Sequence, residues 1–327
     1  MHELTSTFVS RSLVPTTYTQ PPQLRPKSIV PMTVCMDQSR KEKVIVIMGA
    51  TGTGKSRLSV GLAARFSGEI INSDKMQFYN GLEIATNQIT IPERCGVAHH
   101  LLGELPVDDS ELIASEFRSV ASRSISEISS RGKLPIIAGG SNSFVHALLV
   151  GRFDPVTNPF SSKPSISSEL RYDCFFLWVD VSASVLYHYL SKRVDKMMES
   201  GMFEELASFY NPRNSRSTIR TGIHRAIGVP EFDRYFGVYP PEKSHNVFEW
   251  DQARKAAYEE LAVHEIKDNT WRLAKKQIER IMMLRSSGWE IHRLNATASL
   301  RASSREVWEK NVLRESVKNV KRFLLTD

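Results

Sequence analysis

The sequence of 327 residues predicts an α/β fold, a doubly wound parallel sheet covered by helices on both faces and extended by a smaller helical lobe. Three observations predict it. Short strand-like segments recur at 43–48, 69–72, 134–138 and 174–180, three of them built on apolar runs of the kind expected of strands buried on both faces. Longer stretches with helical apolar spacing separate them, and parallel neighbours need such crossovers. Glycine-rich turns follow the first and third runs, at 49–54 and 139–140, where parallel sheets place their ligand loops.

The elements follow in order. Val-Ile-Val-Ile-Met ends a strand at 43–48, and a helix follows from 55 to about 66. A second strand at 69–72 leaves Asp74 just past its end. A helix over 111–131 stops at Gly132, a residue suited to a C-terminal cap. The third strand, 134–138, leads through Gly139-Gly140 into a helix at 141–150. Residues 154–169 are rich in Pro and Ser and read as an exposed loop. After the fourth strand, 174–180, helices are predicted at 185–200 and 203–210, then a polar, basic loop at 211–217. A short helix at 225–236 is interrupted by Pro230, and 251–286 reads as one long amphipathic helix. A last strand at 288–294 and a closing helix at 304–325 complete the chain. The expected organisation is a tail over 1–40, a core over 41–180, a mostly helical substrate lobe over 181–286, and a strand and helix over 287–327 that complete the core.

The first forty residues differ from the rest. They hold six Thr, five Ser and five Pro, with Arg11, Arg25, Lys27 and Arg40 against only Glu3 and Asp37. Such a composition buries no core and reads as disordered. Rich in hydroxyls and poor in acids, it fits an organelle transit peptide, with a plain tail as the alternative. Starting instead at Met36 would remove that signal and leave the protein in the cytoplasm. The formal net charge of +7 favours anionic partners, nucleotides, diphosphates and nucleic acid alike. Cys35, Cys95 and Cys174 are widely spaced and form no CxxC, which argues against a disulfide framework or a zinc site. No run of about 18 apolar residues is present for a membrane span.

Gly49-Ala50-Thr51-Gly52-Thr53-Gly54-Lys55-Ser56 fits G-x-x-x-x-G-K-[ST] in full, between an apolar strand and a helix. The glycines let backbone N–H groups converge on phosphate oxygens, and the helix N-terminus adds a positive dipole end. Lys55 supplies a cation, and the Ser56 hydroxyl is placed to ligate a phosphate-bound Mg²⁺. The fold class is therefore that of the P-loop NTPases. The motif names a diphosphate or triphosphate, not a reaction. Asp180 ends one apolar strand and Asp74 follows another, and either suits a kinase that needs an acid beside the loop. Asp74 also reads as a helix N-cap.

Residues around Asp74 narrow the choice. Asn-Ser-Asp74-Lys-Met-Gln77-Phe-Tyr79, following the P-loop, resembles the D-x-x-Q-x-Y segment of the isopentenyltransferases. Blocks at 84–90, His99-His100-Leu-Leu-Gly, 136–143, Arg225-Ala-Ile-Gly-Val-Pro-Glu and Leu273-Ala-Lys-Lys-Gln277 are similar to that family in the same order, over about 43–325. Ala-Gly-Gly-Ser-Asn-Ser-Phe resembles the plant branch that modifies free adenylates rather than the tRNA branch. The span between Gly151 and Ile219 is short for a tRNA-gripping insertion, and no Cys follows Cys174 to build a zinc finger.

The resemblance implies a dimethylallyl transfer from dimethylallyl diphosphate to N6 of the adenine of ATP, ADP or AMP, with Mg²⁺ as cofactor and the chloroplast as the site. Those small molecules are the partners it implies, and tRNA is not expected. It gives Asp74 as the base, ionised at an ordinary carboxylate pKa. It places Thr51, Lys55 and Arg225 on the diphosphate, with Gly49, Ala50, Gly52, Thr53, Gly54 and Ser56 completing the phosphate loop. Arg220 and Lys275, ahead of Lys276, are expected on the phosphates of the acceptor, with a solvated helix face as the alternative. His99-His100 is expected to be structural, with phosphate contact as the alternative. Met76, Phe78 and Phe144 are read as core, with a prenyl-pocket wall as the alternative. The stripe Trp250, Tyr258, Trp271 and Leu284 is read as helix-packing surface. The rival readings are a tRNA dimethylallyltransferase, a P-loop small-molecule kinase and a non-catalytic nucleotide switch.

Overall fold

The computed structural model describes residues 41–106, 111–161, 166–212, 220–241 and 251–326. The expected tail at 1–40, most of the loop at 211–217 and Trp250 lie outside these residues. Six parallel strands form one sheet in the order β3-β2-β4-β1-β5-β6. They are β1 (Lys43–Met48), β2 (Gly68–Asn72), β3 (His99–His100), β4 (Leu134–Ala138), β5 (Asp173–Asp180) and β6 (Ile291–Asn295). β1 is central, with Ile45 paired to Ile136 of β4 on one side and to Phe175 of β5 on the other.

The period of two along β1 builds both layers of the molecule. Val44, Val46 and Met48 enter one apolar core, beneath α2 (Ala114–Ser130) and α3 (Asn142–Leu149). Ile45 and Ile47 enter the other, against α1 (Lys55–Phe66) and the C-terminal helices. This is the doubly wound α/β arrangement that the apolar runs predict. Phe78 and Phe144 are core residues, as expected, in ring contact with each other and with Phe117.

Helix ends follow the local chemistry. Glu116 accepts the N–H of Ile113 at 3.0 Å at the start of α2, and Gly132 leaves the helix at φ 68°. α4 (Ala183–Glu199) and α5 (Met202–Phe209) follow β5. Pro230 does not interrupt a helix. It lies in the first turn of α6 (Val229–Val238), where a missing N–H costs nothing, and Gly222–Arg225 forms a separate 3₁₀ turn. The predicted long helix is α7 (Gln252–Tyr258), a π turn at Glu259–His264 and α8 (Glu265–Ser286), continuous in sequence. After β6 come α9 (Thr297–Ala302), α10 (Arg305–Trp308), a second π turn and α11 (Arg314–Leu325). The expected helix at 304–325 is thus broken by a π turn, and α9 is additional. Trp271 is half-buried against Tyr187, and Leu284 is buried, as packing residues are. Lys41–Asp327 is one compact unit. Its end returns to its beginning, where Lys43 donates to the carbonyl of Phe323 at 2.9 Å.

Candidate active site

The phosphate loop leaves β1 and enters α1. Gly52 and Gly54 take left-handed φ values of 80° and 95°, which only glycine adopts without cost. A Cβ on Gly54 would lie 2.4 Å from the Trp308 ring of α10, so the loop is also closed from outside. Thr53 Oγ1 and Lys55 Nζ both donate to the carbonyl of Ala50, at 2.9 and 2.8 Å, which curls the loop around the lysine. Ser56 is exposed in the first turn of α1.

Asp74 stands two residues beyond Asn72, the end of β2, at the carboxyl edge of the sheet beside this loop. It does cap a short turn, Lys75–Phe78, by accepting from the N–H of Met76 at 3.3 Å. Its own N–H donates to Asn72 Oδ1 at 2.9 Å, and Asn72 is pinned in turn by donating to the Leu101 carbonyl at 2.8 Å. The cap and the cavity wall are thus one residue. Gly140, after β4, comes so close that a Cβ there would lie 3.1 Å from Asp74 Oδ2.

Electrostatics overturn the expectation of an ordinary carboxylate. Burial raises the Asp74 pKa above its usual value, opposed by Lys55, by the N–H groups of Met76 and Gly140, and by Arg193. Burial likewise lowers Lys55 to about 8, assisted by Arg193 and opposed by Asp74. Each group is tuned toward neutral pH, from opposite sides.

Two side chains not singled out as ligands from the sequence complete the arrangement. Arg193, on α4, donates to Thr51 Oγ1 at 3.0 Å, while its buried Nε has no hydrogen-bond partner. Gln277, on α8, accepts the N–H of Thr51 at 2.7 Å. A cavity of about 420 Å³ is lined by Thr51, Asp74, Arg193, Arg225, Lys276 and Arg280, with Met76 also in its wall. Arg225 is held at this wall by Glu111, at 3.0 Å, and the same carboxylate takes Lys75. The structure therefore brings Asp74, Thr51 and Arg225 together, with Lys55 close behind. A larger cavity of about 1020 Å³ flanks the other side of the loop, at Ser56, Arg57, Lys196 and Arg305. Arg193 and Met197 line both.

Two expected cations fall elsewhere. Arg220 is paired with the carboxylate of Asp233 and is absent from both cavity walls. Lys275 is exposed over the Trp271 ring, 5.8 Å from its centre. One residue on, a turn of about 100° brings Lys276 to the cavity instead. The signal was in the sequence: Ile266, Thr270, Leu273, Gln277 and Arg280 recur every three or four residues and all face the cavity. The histidines are structural. His100 Nε2 lies 2.7 Å from buried Glu69, which also holds Arg131 and Lys133, and His99 Nδ1 lies 2.9 Å from the carbonyl of Val97. Gln77 is structural too, donating to the carbonyls of Thr86 and Asn87 at 3.1 and 3.0 Å. Asp180, the other acid open to a kinase, is bound through both Nε and Nη2 of Arg293, at 2.7 and 2.6 Å, and faces a separate groove.

A parallel sheet and a phosphate loop whose Thr51 shares one basic cavity with a partly buried acid define a P-loop enzyme that works beside a phosphorylated ligand. The model of the IPP transferase family matches residues 77–167 and 155–281. The chain belongs to that family. It is 71% identical over 332 residues to adenylate isopentenyltransferase 8, chloroplastic, of Arabidopsis thaliana, covering 100% of this chain and 99% of that one. It is 55% identical over 294 residues to the adenylate isopentenyltransferase of Humulus lupulus, covering 85% and 89%. Among solved structures, a eukaryotic dimethylallyltransferase acting on tRNA superposes with TM-score 0.69 at 24% identity, covering 87% of this chain and 80% of that one. The tRNA isopentenylpyrophosphate transferase of Staphylococcus epidermidis gives 0.66 at 24%, covering 86% and 100%. At that identity the structures speak to the fold alone.

Proposed function

We propose that this protein transfers the dimethylallyl group of dimethylallyl diphosphate to N6 of the adenine of ATP or ADP, and less readily AMP. The reaction is the first step of cytokinin biosynthesis, and the protein carries it out in the chloroplast. One observation carries the mechanism: Asp74 and Thr51 of the phosphate loop line a single cavity, together with Arg193 and Arg225. The plastid reading rests on the hydroxyl-rich, acid-poor first forty residues and on relatives named chloroplastic.

Adenine N6 is a weak nucleophile because its lone pair is delocalised into the ring. Asp74 orients it by accepting a hydrogen bond from N6–H and takes that proton as the N6–C1 bond forms. The C1–O bond of the donor breaks, and its electron pair leaves with diphosphate. Charge therefore grows on the leaving group, where the loop amides, Lys55, Thr51, Arg193 and Arg225 converge. Lys276 and Arg280 meet the phosphates of the acceptor. The walls keep water from the allylic carbon while it carries positive charge.

Among the described residues no three acidic, histidine or cysteine side chains cluster to hold an ion. Ser56, an exposed hydroxyl in the first turn of α1 on the larger cavity, is the residue of the loop that would touch an Mg²⁺ carried on the diphosphate. When bound, that ion neutralises charge on the leaving group. The test is incubation with Mg²⁺, dimethylallyl diphosphate and ATP, ADP, AMP or unmodified tRNA in turn, read as an added C5 mass, with Asp74→Asn alongside. Product on ATP and ADP that falls at least about a hundredfold in the variant is expected. Product on tRNA alone, or ATP turnover without prenylation, sinks the proposal.

A further inference from the structure

Gln277 is buried 226 residues from the phosphate loop in sequence, yet its side chain ends between that loop and the turn that holds Asp74. Its Oε1 accepts the N–H of Thr51 at 2.7 Å, and its Nε2 donates to the carbonyl of Gly140 at 3.1 Å. The same Gly140 lies against the Asp74 carboxyl, a Cβ on it standing 3.1 Å from Oδ2, and its N–H helps to hold that carboxyl's charge against burial. The backbone of Gln277 is fixed as well, since its carbonyl accepts from Asn142 Nδ2 at 3.0 Å. Two demands of opposite polarity meet at one side-chain end. A primary amide satisfies both at this reach; an ionised carboxylate satisfies only the first, and a thioether neither.

We infer that Gln277 is a positioning residue that couples the phosphate loop to the base. The inference rests on the reaction assigned above. It sets the Thr51 amide, and hence the curl of the loop on which the diphosphate sits. Through Gly140 it sets the donor that keeps Asp74 charged against burial. Motion of either the loop or the base is passed to the other through one amide, which lies on the helix that also carries Lys276 and Arg280. A residue that served packing alone would need no such polarity, and the Cβ position of Gly140, 2.3 Å from Gln277 Nε2, shows that the contact excludes even a methyl group.

The full chain is tested as Gln277→Met, close in volume with neither hydrogen bond, and as Gln277→Glu. The methionine variant is expected to lose about a hundredfold in kcat. Its KM for ATP stays unchanged, and the acidic limb of its pH–rate profile moves upward because Asp74 has lost support for its charge. Inorganic diphosphate, titrated calorimetrically, binds it about tenfold more weakly. The glutamate variant regains diphosphate affinity as pH falls, because the protonated carboxyl has the donor and acceptor of the amide. An unchanged pH limb with kcat within about twofold of wild type, or a loss explained wholly by a lowered Tm, overturns the inference. Wild-type protein that binds diphosphate but transfers no prenyl group overturns the assigned reaction instead, and the diphosphate titrations still decide whether Gln277 acts on the loop.

Discussion

Gly140→Ala is the sharpest probe of the site, because the added methyl has nowhere to go. Its Cβ would lie 2.3 Å from Gln277 Nε2 and 3.1 Å from Asp74 Oδ2, where a normal contact is near 3.5 Å. The amide must retreat by roughly 1 Å, and overpacking of this kind costs about 1–3 kcal/mol. Unfolding entropy of about 2.1 cal/mol/K per residue over the compact unit Lys41–Asp327 converts this to a Tm lower by about 2–5 °C. A displacement of that size at a reacting group costs about a hundredfold in rate. The signature is therefore a modest loss of stability with a large loss of prenyl transfer. Gly237→Ala is the control: nothing lies within 4 Å of its Cβ, it is exposed within α6, and the substitution should raise stability by about 0.5–1 kcal/mol. Scanning calorimetry and single-turnover transfer measure both quantities. A Gly140→Ala protein with wild-type Tm and rate would refute the close approach of Gln277, Gly140 and Asp74.

Other perturbations separate the remaining roles. The profile of kcat/KM against pH is expected to be bell-shaped. Activity is lost as pH falls through the raised pKa of Asp74, which must be ionised, and lost as pH rises through about 8, where Lys55 gives up its charge. Lys55→Arg should move the alkaline limb upward, and a limb that stays near 8 would assign it to another group. Arg193→Met removes a charged donor to Thr51 and should reduce kcat/KM for dimethylallyl diphosphate by about tenfold or more, with KM for ATP little changed. Trp308→Ala empties a buried site against Gly54 and should cost about 3–5 kcal/mol in denaturant unfolding. His146 is buried between Trp289 and Phe160, and burial lowers its pKa from 6.5 to about 4. Its neutral form is the folded one, so stability is constant above pH 6.5 and falls below it, by roughly 3 kcal/mol at pH 4, a slope that His146→Leu should remove.

What the sequence made legible was local. β1, the phosphate loop and α1 are contiguous, so glycine spacing and one apolar run specify them, and Asp74 follows within a single short strand. Arg193 and Gln277 belong to the same site but reach it across 142 and 226 residues. No local pattern marks an arginine in a helix as the partner of a threonine so distant. Charge type also says nothing of direction: Lys275 and Lys276 are identical in chemistry, and only the phase of α8 sends one to Trp271 and the other to the cavity. Strand β3 escaped notice because two residues carry no periodicity, and the π turns because they leave composition unchanged.

The central place of β1 governs how the protein comes into being. β1 is synthesised before every other strand, yet its neighbours are β4, beginning at Leu134, and β5, beginning at Asp173. Five consecutive apolar residues thus wait, unpaired, while the ribosome completes much of the chain. Their partners are parallel and distant, a topology that forms slowly and exposes edges while it does so. The phosphate loop waits longer still, since Trp308 closes it only when the final helices have emerged. The segment richest in catalytic information is made before the rest of the described sheet and is closed only by helices near its end, so its vulnerable period spans most of the synthesis of the compact unit.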